Sequence, residues 1–519
     1  MPADAVPNAL WPRVSELIAE KIGLHFPPER RLDLERGLSD AAADFGFADG
    51  RTCADWLLTA PLTGAQLHTL ASHLTIGETY FFRERSTLDA LGERILPELI
   101  RRRRGHGQHL RLWSAACSTG EEPYSLAILL HQLLPDWQDW RVTILATDVN
   151  RRSLQKAAAG VYGEWSFRES PPALRERYFM PTADRRFAVV PEIRKRVRFA
   201  PLNLAQDGFP SLATDTNAMD VILCRNVLMY FTPLQADKLV ANLRHALLDD
   251  GWLAVSPCEY SQTLFSRFVT VNFPGAVLYR KGGSDERAES GWAATTPVTV
   301  EQAAVSFDPY QPPTAADSDA LTTDRFRTAP ETDAVTPAEP SAAAEALYQQ
   351  GRYADVSDLL LMSFSQAAQT PLPSSRTPFG PHAFSLLTRA LANQGKLADA
   401  LAWSERWIAA DKIDAAAHYL RAMVLQELGE RGPARRSLQR AVYLQPVFAL
   451  AHFALGNCAR GDARSADANK HFENALRVLR GRPPEELVPE SDGLTVRGLS
   501  EMITALSSQS ERSDAALKR

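Results

Sequence analysis

The chain has 519 residues, a formal net charge of −5 and five cysteines, with 45% hydrophobic and 23% charged residues. That length exceeds one hydrophobic core and predicts two or more domains, while the acidic balance excludes a chain-wide nucleic-acid footprint. Cys53, Cys117, Cys224, Cys258 and Cys458 are widely spaced with no CxxC, which excludes a disulfide framework and a structural zinc site. No run approaches the ~18 apolar residues of a membrane span, and the opening "MPADAVPNALWPRVSEL" lacks the basic and apolar regions of a signal peptide. The expectation is a cytoplasmic protein with no direct membrane insertion and no metal.

Residues 1–88 read as a helical domain. "WPRVSELIAEKIGL" sets Trp11, Val14, Leu17, Ile18 and Ile22 on one stripe, and "ERRLDLERGLSDAAADFGF" adds Leu32, Leu34 and Leu38. Arg30, Arg31 and Arg36 fall on the polar face. Solvent accounts for most such charges, and the alternative is a surface for an acidic helical partner. In the second domain, 89–283, strands alternate with helices. "LRLWSA", "RVTILATD", "RVRFAPL", "MDVILCR" and "GWLAVSP" are the strands; "PYSLAILLHQLL" and "TPLQADKLVANLRHALL" are among the helices. The alternation predicts an α/β fold with a doubly wound, Rossmann-like parallel sheet. "FVTVNF" and "GAVLYRK", separated by "PG", predict an antiparallel hairpin closing the sheet edge. "FAVVPEIRKRVRFA" reads as short strands without a crossover helix, a small β subdomain at about 183–201. The basic run "IRRRRGHG" is taken as a solvated helix end.

Residues 284–340 carry 11 acidic and three basic residues with few apolar ones, which predicts a disordered acidic linker. From 341 to 480 the pattern is all-helical and repeating. Ala400, Ala434 and Ala468 stand 34 residues apart, and Ala422, Leu425, Leu438, Ala441, Pro446, Leu455, Gly456, Phe472 and Ala475 fit the tetratricopeptide (TPR) spacing. Ser404 fits less well, and "AEALYQQGRYADVSDLLL" reads as an earlier, degenerate helix pair. Such an array offers a concave groove for a peptide or partner helix, or serves as a stabilising appendage. Residues 481–519 are assigned as a C-terminal tail.

The chemistry lies in the second domain. In doubly wound sheets ligands bind beyond the carboxyl ends of the strands. "SAACSTGEEPYS", 114–125, is a strand-to-helix loop, and Asp148 ends the next strand, where it can accept hydrogen bonds from both hydroxyls of a ribose. Nicotinamide dinucleotide and S-adenosylmethionine sites share that acid. Glu121 and Glu122 stand where the helix begins and would oppose a pyrophosphate, whereas the sulfonium and ammonium of S-adenosylmethionine favour a nearby carboxylate. Both glutamates equally suit a helix dipole. "HLTIGETYFFRERSTLDAL" and "CRNVLMYF" add Tyr80–Phe81–Phe82, Arg83, Arg225, Asn226 and Tyr230.

"TIGETYFFRE", "WSAACSTGEEPYSLAI", "ATDVN", "YFM", "PLNL" and "CRNVLMYF" occur in the order found in the CheR family of chemoreceptor glutamate O-methyltransferases, and residues 10–280 resemble that family. The resemblance implies an N-terminal helical receptor-docking domain, with Arg30, Arg31 and Arg36 as docking residues. It implies a class I methyltransferase domain with a small β subdomain, using S-adenosylmethionine and releasing S-adenosylhomocysteine. The implied cofactor contacts are Gly77, Thr79, Arg83, Glu122, Asp148, Asn203, Leu204, Asn226 and Val227, with Arg83 and Tyr230 nearest the transferred methyl group. Glu122 is the expected cofactor ligand, and Glu121 no more than a helix-start residue. Gly77 stands where some members have Asn. "SPCEYS" keeps Glu259 but has Pro257 and Cys258 where many have His-Ser. The stretch between "YFM" and "PLNL" is short and lacks a Gly-rich loop, which favours an enzyme that does not tether to a receptor pentapeptide. TPR tails occur on methyltransferases of alternative chemosensory pathways such as Wsp-type systems. The expected partners are chemoreceptor helices and a protein or peptide held by the repeats. A scaffold that only senses S-adenosylmethionine is a competing reading, opposed by Arg83, Glu122, Asp148 and Tyr230. Methylation of another substrate is a third, and the lack of an Asn-Pro-Pro-Tyr type motif opposes nucleic acid.

Overall fold

The computed structural model describes residues 10–282, 340–369 and 380–517, apart from single positions 60, 106, 207 and 463. The expected linker at 284–340 lies outside the described residues up to 339. Among the described residues no helix is long and apolar enough to cross a membrane, and no group of His, Cys, Asp or Glu is placed to hold a metal ion.

Four helices open the chain: α1 (Leu10–Ile22), α2 (Arg31–Ala42), α3 (Gly50–Leu57) and α4 (Gly64–Leu74). Val14, Ile18 and Ile22 of α1 pack on Leu34, Leu38, Leu57 and Leu70. Leu32, expected in that stripe, is 70% exposed. It sits two residues, about 200° of helix rotation, from the Leu34–Leu38–Ala41 face. Asp49 caps α3 through Thr52 N–H, and Thr63 with Gln66 forms a capping box on α4. The helical unit ends at Leu74, because Phe81 onward joins a different core. The expected boundary at 88 instead falls inside α5 (Arg85–Ala90), which runs through a π turn into α6 (Leu96–Arg103).

The second unit contains β1 (His109–Ala115), α7 (Glu121–Leu133), β2 (Arg141–Asp148), α8 (Arg151–Ala159), β3 (Val161–Tyr162), α9 (Pro172–Tyr178), β4 (Phe179–Pro181), β5 (Phe187–Val189), α10 (Pro191–Arg194), β6 (Val197–Pro201), β7 (Met219–Leu223), α11 (Pro233–Ala246), β8 (Leu247–Ala254), β9 (Val269–Phe273) and β10 (Ala276–Arg280). Seven strands form one sheet in the order β6-β2-β1-β7-β8-β10-β9. Its first five strands are parallel, and the β9–β10 hairpin closes the edge antiparallel. The chain reverses its winding between β1 and β7, which opens a crevice at their carboxyl ends. The small sheet is β3-β5-β4, so the β subdomain spans 161–189 and not 183–201. Val197–Pro201 pairs in parallel with β2 because Val197 and Phe199 are needed to cover the core beside Ile144 and Ala146. The basic run at 100–107 is more than a solvated end: Arg103 bonds the buried Asp220, and Arg104 pairs with Asp136.

Helix hairpins follow: α12 (Pro340–Gln349) with α13 (Tyr353–Gln369), α14 (Pro381–Asn393) with α15 (Leu397–Ala410), α16 (Ala415–Glu427) with α17 (Arg431–Leu444), and α18 (Ala449–Gly461) with α19 (Ser465–Leu479). The last three pairs begin 34 residues apart, and Ala400, Ala434 and Ala468 are fully buried where paired helices meet. Ser404 is also fully buried, its hydroxyl satisfied by Leu401 C=O at 2.7 Å. The turns between helices meet the N-terminal edge of the parallel sheet, the side away from the crevice. Gly351 lies so close to His245 that a Cβ there would stand 2.1 Å from its ring.

Residues 481–517 are not a free tail. A bridge joins Leu487 to Thr495, and α20 (Val496–Leu517) packs on α19 with Leu499, Met502, Ile503 and Leu506 buried. Those four positions recur at helical spacing. The helix also reaches back to the N-terminal unit: Glu501 pairs with His68 at 3.1 Å, and its carbonyl accepts from Arg151 at 2.6 Å. Ile503→Ala is therefore expected to destabilise the protein by about 2–4 kcal/mol in urea denaturation. A loss below about 0.5 kcal/mol would restore the tail assignment.

Candidate active site

The crevice holds an open cleft lined by the β1–α7 turn, the loop after β7 and the segment that links α4 to α5. One wall is the turn between β1 and α7. Ala116, Ser118 and Gly120 all have left-handed φ there. Gly120 has no alternative, since a Cβ would stand 2.8 Å from that of Ala157. The turn aims the Ser118 N–H at Asp148 Oδ2, 2.8 Å away, while Asn150 N–H donates to Oδ1 at 2.7 Å. Burial pushes the Asp148 carboxyl up to about 6 even with both N–H bonds opposing it. Ligand hydroxyls need the ionised carboxylate as acceptor. Cofactor affinity is thus expected to hold above pH 6 and to fall about tenfold per unit below it, as the proton competes. A flat titration by equilibrium dialysis between pH 7 and 5 would rule this out.

The two glutamates of the turn do different work. Glu121 is 3% exposed, and its carboxylate accepts from Thr119 Oγ at 2.7 Å and Ser166 Oγ at 3.0 Å. It is thus more than a helix-start residue: it ties the turn to the β subdomain. Glu122 faces the cleft, where Ser114 Oγ and Arg225 Nη1 donate to it at 2.6 and 3.0 Å. The Arg225 side chain is 2% exposed and also bonds Glu84 at 3.0 Å and Arg83 C=O at 2.6 Å. Burial opposes the Glu84 charge, yet the guanidinium of Arg225 and the hydroxyl of Ser256 hold its carboxyl below the usual range. One guanidinium between two carboxylates leaves this floor with a net charge of about −1.

The far wall is the loop after β7. Asn226 is left-handed, and the Glu259 carboxylate accepts N–H bonds from Ser256, Asn226, Val227 and Leu228 at 2.6–3.0 Å. Val227 thus contributes shape, its N–H being spent on Glu259. Asn226 Nδ2 donates to Ser256 Oγ at 2.8 Å. Leu204 lines the cleft, as do Gly77 and Thr79 from the segment that links α4 to α5. Gly77 C=O accepts from Ser118 Oγ at 3.4 Å. Asn203 also lines the cleft, but its amide donates to Lys21 C=O at 2.7 Å and so ties α1 to the loop after β6.

Arg83 stands between two left-handed residues, Phe82 and Glu84. Such strain concentrates at functional positions. Its guanidinium donates to Glu78 C=O at 2.6 Å and reaches the cleft. Tyr230 lines the opposite rim, and the Arg30 guanidinium lies 5.3 Å from its ring. The basic trio therefore divides. Arg30 lies against Tyr230 and pairs with Asp33 at 3.2 Å, Arg31 pairs with Glu35 at 2.6 Å, and Arg36 is exposed on the outer face of α2. Glu84, Ser118 and Glu259 were not anticipated as working parts of the site. A buried arginine such as Arg225 requires counter-charges, and that is the signal pointing to Glu84.

The residues present fit S-adenosylmethionine. Asp148 offers a buried acceptor at the ribose position, the floor is anionic, and Glu121 and Glu122 occupy the helix start where a pyrophosphate would need bare N–H groups. With its strand order and closing hairpin, the chain is an S-adenosylmethionine-dependent methyltransferase. Residues 77–273 match the family described as CheR methyltransferase, SAM binding domain. Chemotaxis protein methyltransferase 2 of Vibrio cholerae serotype O1 is 34% identical over 229 residues, 44% of this chain and 78% of its own. The chemotaxis protein methyltransferase of Borreliella burgdorferi is 31% identical over 250 residues, covering 48% and 86%. The probable biofilm formation methyltransferase WspC of Pseudomonas aeruginosa is 28% identical over 465 residues, covering 88% and 96%. The chain belongs to the CheR family, and its similarity to WspC runs through the helical repeats.

Proposed function

We propose that the protein methylates glutamate side chains on the cytoplasmic helices of chemoreceptors, forming glutamyl methyl esters. The observation that carries this reading is the charge layout of the cleft: an anionic floor around Arg225 under a rim with Arg83. The floor suits a cationic donor and the rim an anionic acceptor. The relatives named chemotaxis protein methyltransferase support the same substrate class.

S-adenosylmethionine supplies an electrophilic methyl group when bound. A glutamate carboxylate, with an ordinary pKa of about 4.3, is already ionised at neutral pH, so the site needs no general base. Asp148 and Glu122 hold the donor, and the loop at Asn226 and Val227 shapes the wall beside it. Arg83 orients the acceptor carboxylate, and Tyr230 closes the rim over the reacting groups and excludes water. Arg30, Arg31 and Arg36 present α2 to an acidic receptor helix. The ester removes one negative charge from that helix and so biases a signalling equilibrium. The repeats hold a protein partner that directs the enzyme to its pathway.

The test is transfer of labelled methyl from S-adenosylmethionine to receptor fragments, followed by alkali. The expected label is released as volatile methanol. A base-stable product, such as an N-methyl group, would overturn the glutamate assignment.

A further inference from the structure

Arg83 follows a segment whose two halves are held very differently. Phe81 is locked into the β subdomain. Its N–H donates to Ser166 C=O at 2.9 Å, its C=O accepts from Ser170 Oγ at 3.1 Å, and its ring packs on Tyr162, Phe167 and Phe179 with centroids 4.8–5.0 Å away. Residues 76–80 belong to no helix or strand, and Ile76, Gly77 and Glu78 are exposed. A stretch of that kind keeps one course only where side chains hold it.

Glu78 is where it is held. Its C=O accepts from Arg83 Nη1 at 2.6 Å, and its carboxylate accepts from Arg168 Nη2. Arg168 ends the turn Glu164–Phe167 of the β subdomain, and its Nη1 donates to Trp165 C=O at 3.0 Å. Its guanidinium lies 3.8 Å from the centre of the Tyr80 ring and 4.5 Å from that of Trp165. The Arg83 guanidinium lies 5.8 Å from the same Tyr80 ring, which lines the cleft. The two rings shelter Arg168: its side chain is 19% exposed, while its partner Glu78 is 57% exposed. An ion pair whose cation is stacked on aromatic faces holds better than one in open water. Trp165 is itself 71% exposed, so its ring is set on Arg168 rather than in the core.

We propose that Arg168 is a positioning residue for methyl transfer: through Glu78 and Tyr80 it holds the Arg83 guanidinium where the acceptor carboxylate arrives. The inference rests on the assignment of Arg83 to the acceptor. The test is methylation of receptor fragments by the full chain, paired with the rate at which phenylglyoxal modifies Arg83, read by peptide mass spectrometry. Arg168→Gln is expected to lower kcat about tenfold, with KM and cofactor affinity within about threefold, as a small misplacement of an orienting group would. In an Arg83→Ala background the same change should alter kcat by less than about twofold, because the group it positions is gone. Arg168→Lys should recover part of the rate, since it keeps the charge and loses the planar stack. Trp165→Ala removes no charge and should still lower kcat, by about threefold. Modification of Arg83 should quicken several-fold in Arg168→Gln. An unchanged kcat, a raised KM alone, equal losses in both backgrounds, or an unaltered rate of Arg83 modification overturns the proposal. A parent chain that methylates no receptor fragment would count against the receptor reading, and the modification rate then decides this one.

Discussion

Arg225→Ala is expected to abolish measurable S-adenosylmethionine binding and to lower stability by about 3–5 kcal/mol. The side chain is 2% exposed and is the only cation bonded to both Glu84 and Glu122 among the described residues. Its removal leaves two carboxylates facing each other in a part-buried cleft. It also frees the Arg83 carbonyl, whose hydrogen bond from Arg225 fixes the strained turn. At least one glutamate would then take up a proton, and the floor would lose the arrangement that favours a cation. Dialysis with labelled cofactor and urea denaturation read the two effects separately. Affinity within about threefold of the parent would mean that the triad is structural only. Arg225→Lys should recover part of the stability but little affinity, because an ammonium cannot hold three acceptors in the guanidinium's planar fork.

Arg83→Ala is expected to lower kcat by about 100-fold while leaving cofactor affinity within about twofold. Arg83 makes no ion pair among the described residues, so its guanidinium is available to an incoming carboxylate. Loss of that contact removes both charge pairing and orientation from the acceptor. Receptor-fragment methylation at saturating substrate separates kcat from KM. An unchanged kcat with a raised KM would assign Arg83 to docking instead of alignment.

Most of the fold could be read from the residues because its signals are local. "RVTILATD" is a largely apolar run closed by an acid, and it forms β2 over the same residues. The "PG" hairpin and the 34-residue spacing of alanines are equally short-range. The misassignments come from contacts distant in sequence. Val197–Pro201 joins the main sheet through its pairing with β2, where Val197 and Phe199 cover Ile144 and Ala146. The segment after 481 is ordered by α19 and α4, which a view of its own composition does not include. At the site, Asp148 and Glu122 were legible from their places at a strand end and a helix start. Glu84 and Glu259 were not, since their partners lie 141 and 33 residues away along the chain. Asn203 shows the converse: it lies where expected and is engaged in holding α1.

The docking of α20 has a thermodynamic consequence. Through Glu501 and its neighbours one helix touches the repeat array, α4 of the N-terminal unit and Arg151 at the start of α8 in the methyltransferase unit. A ligand that prefers one placement of α20 is thereby coupled to any ligand that prefers one placement of α4. Linkage makes such a coupling mutual: whatever factor a ligand of α4 adds to the affinity of a ligand of the repeats, the second adds the same factor to the first.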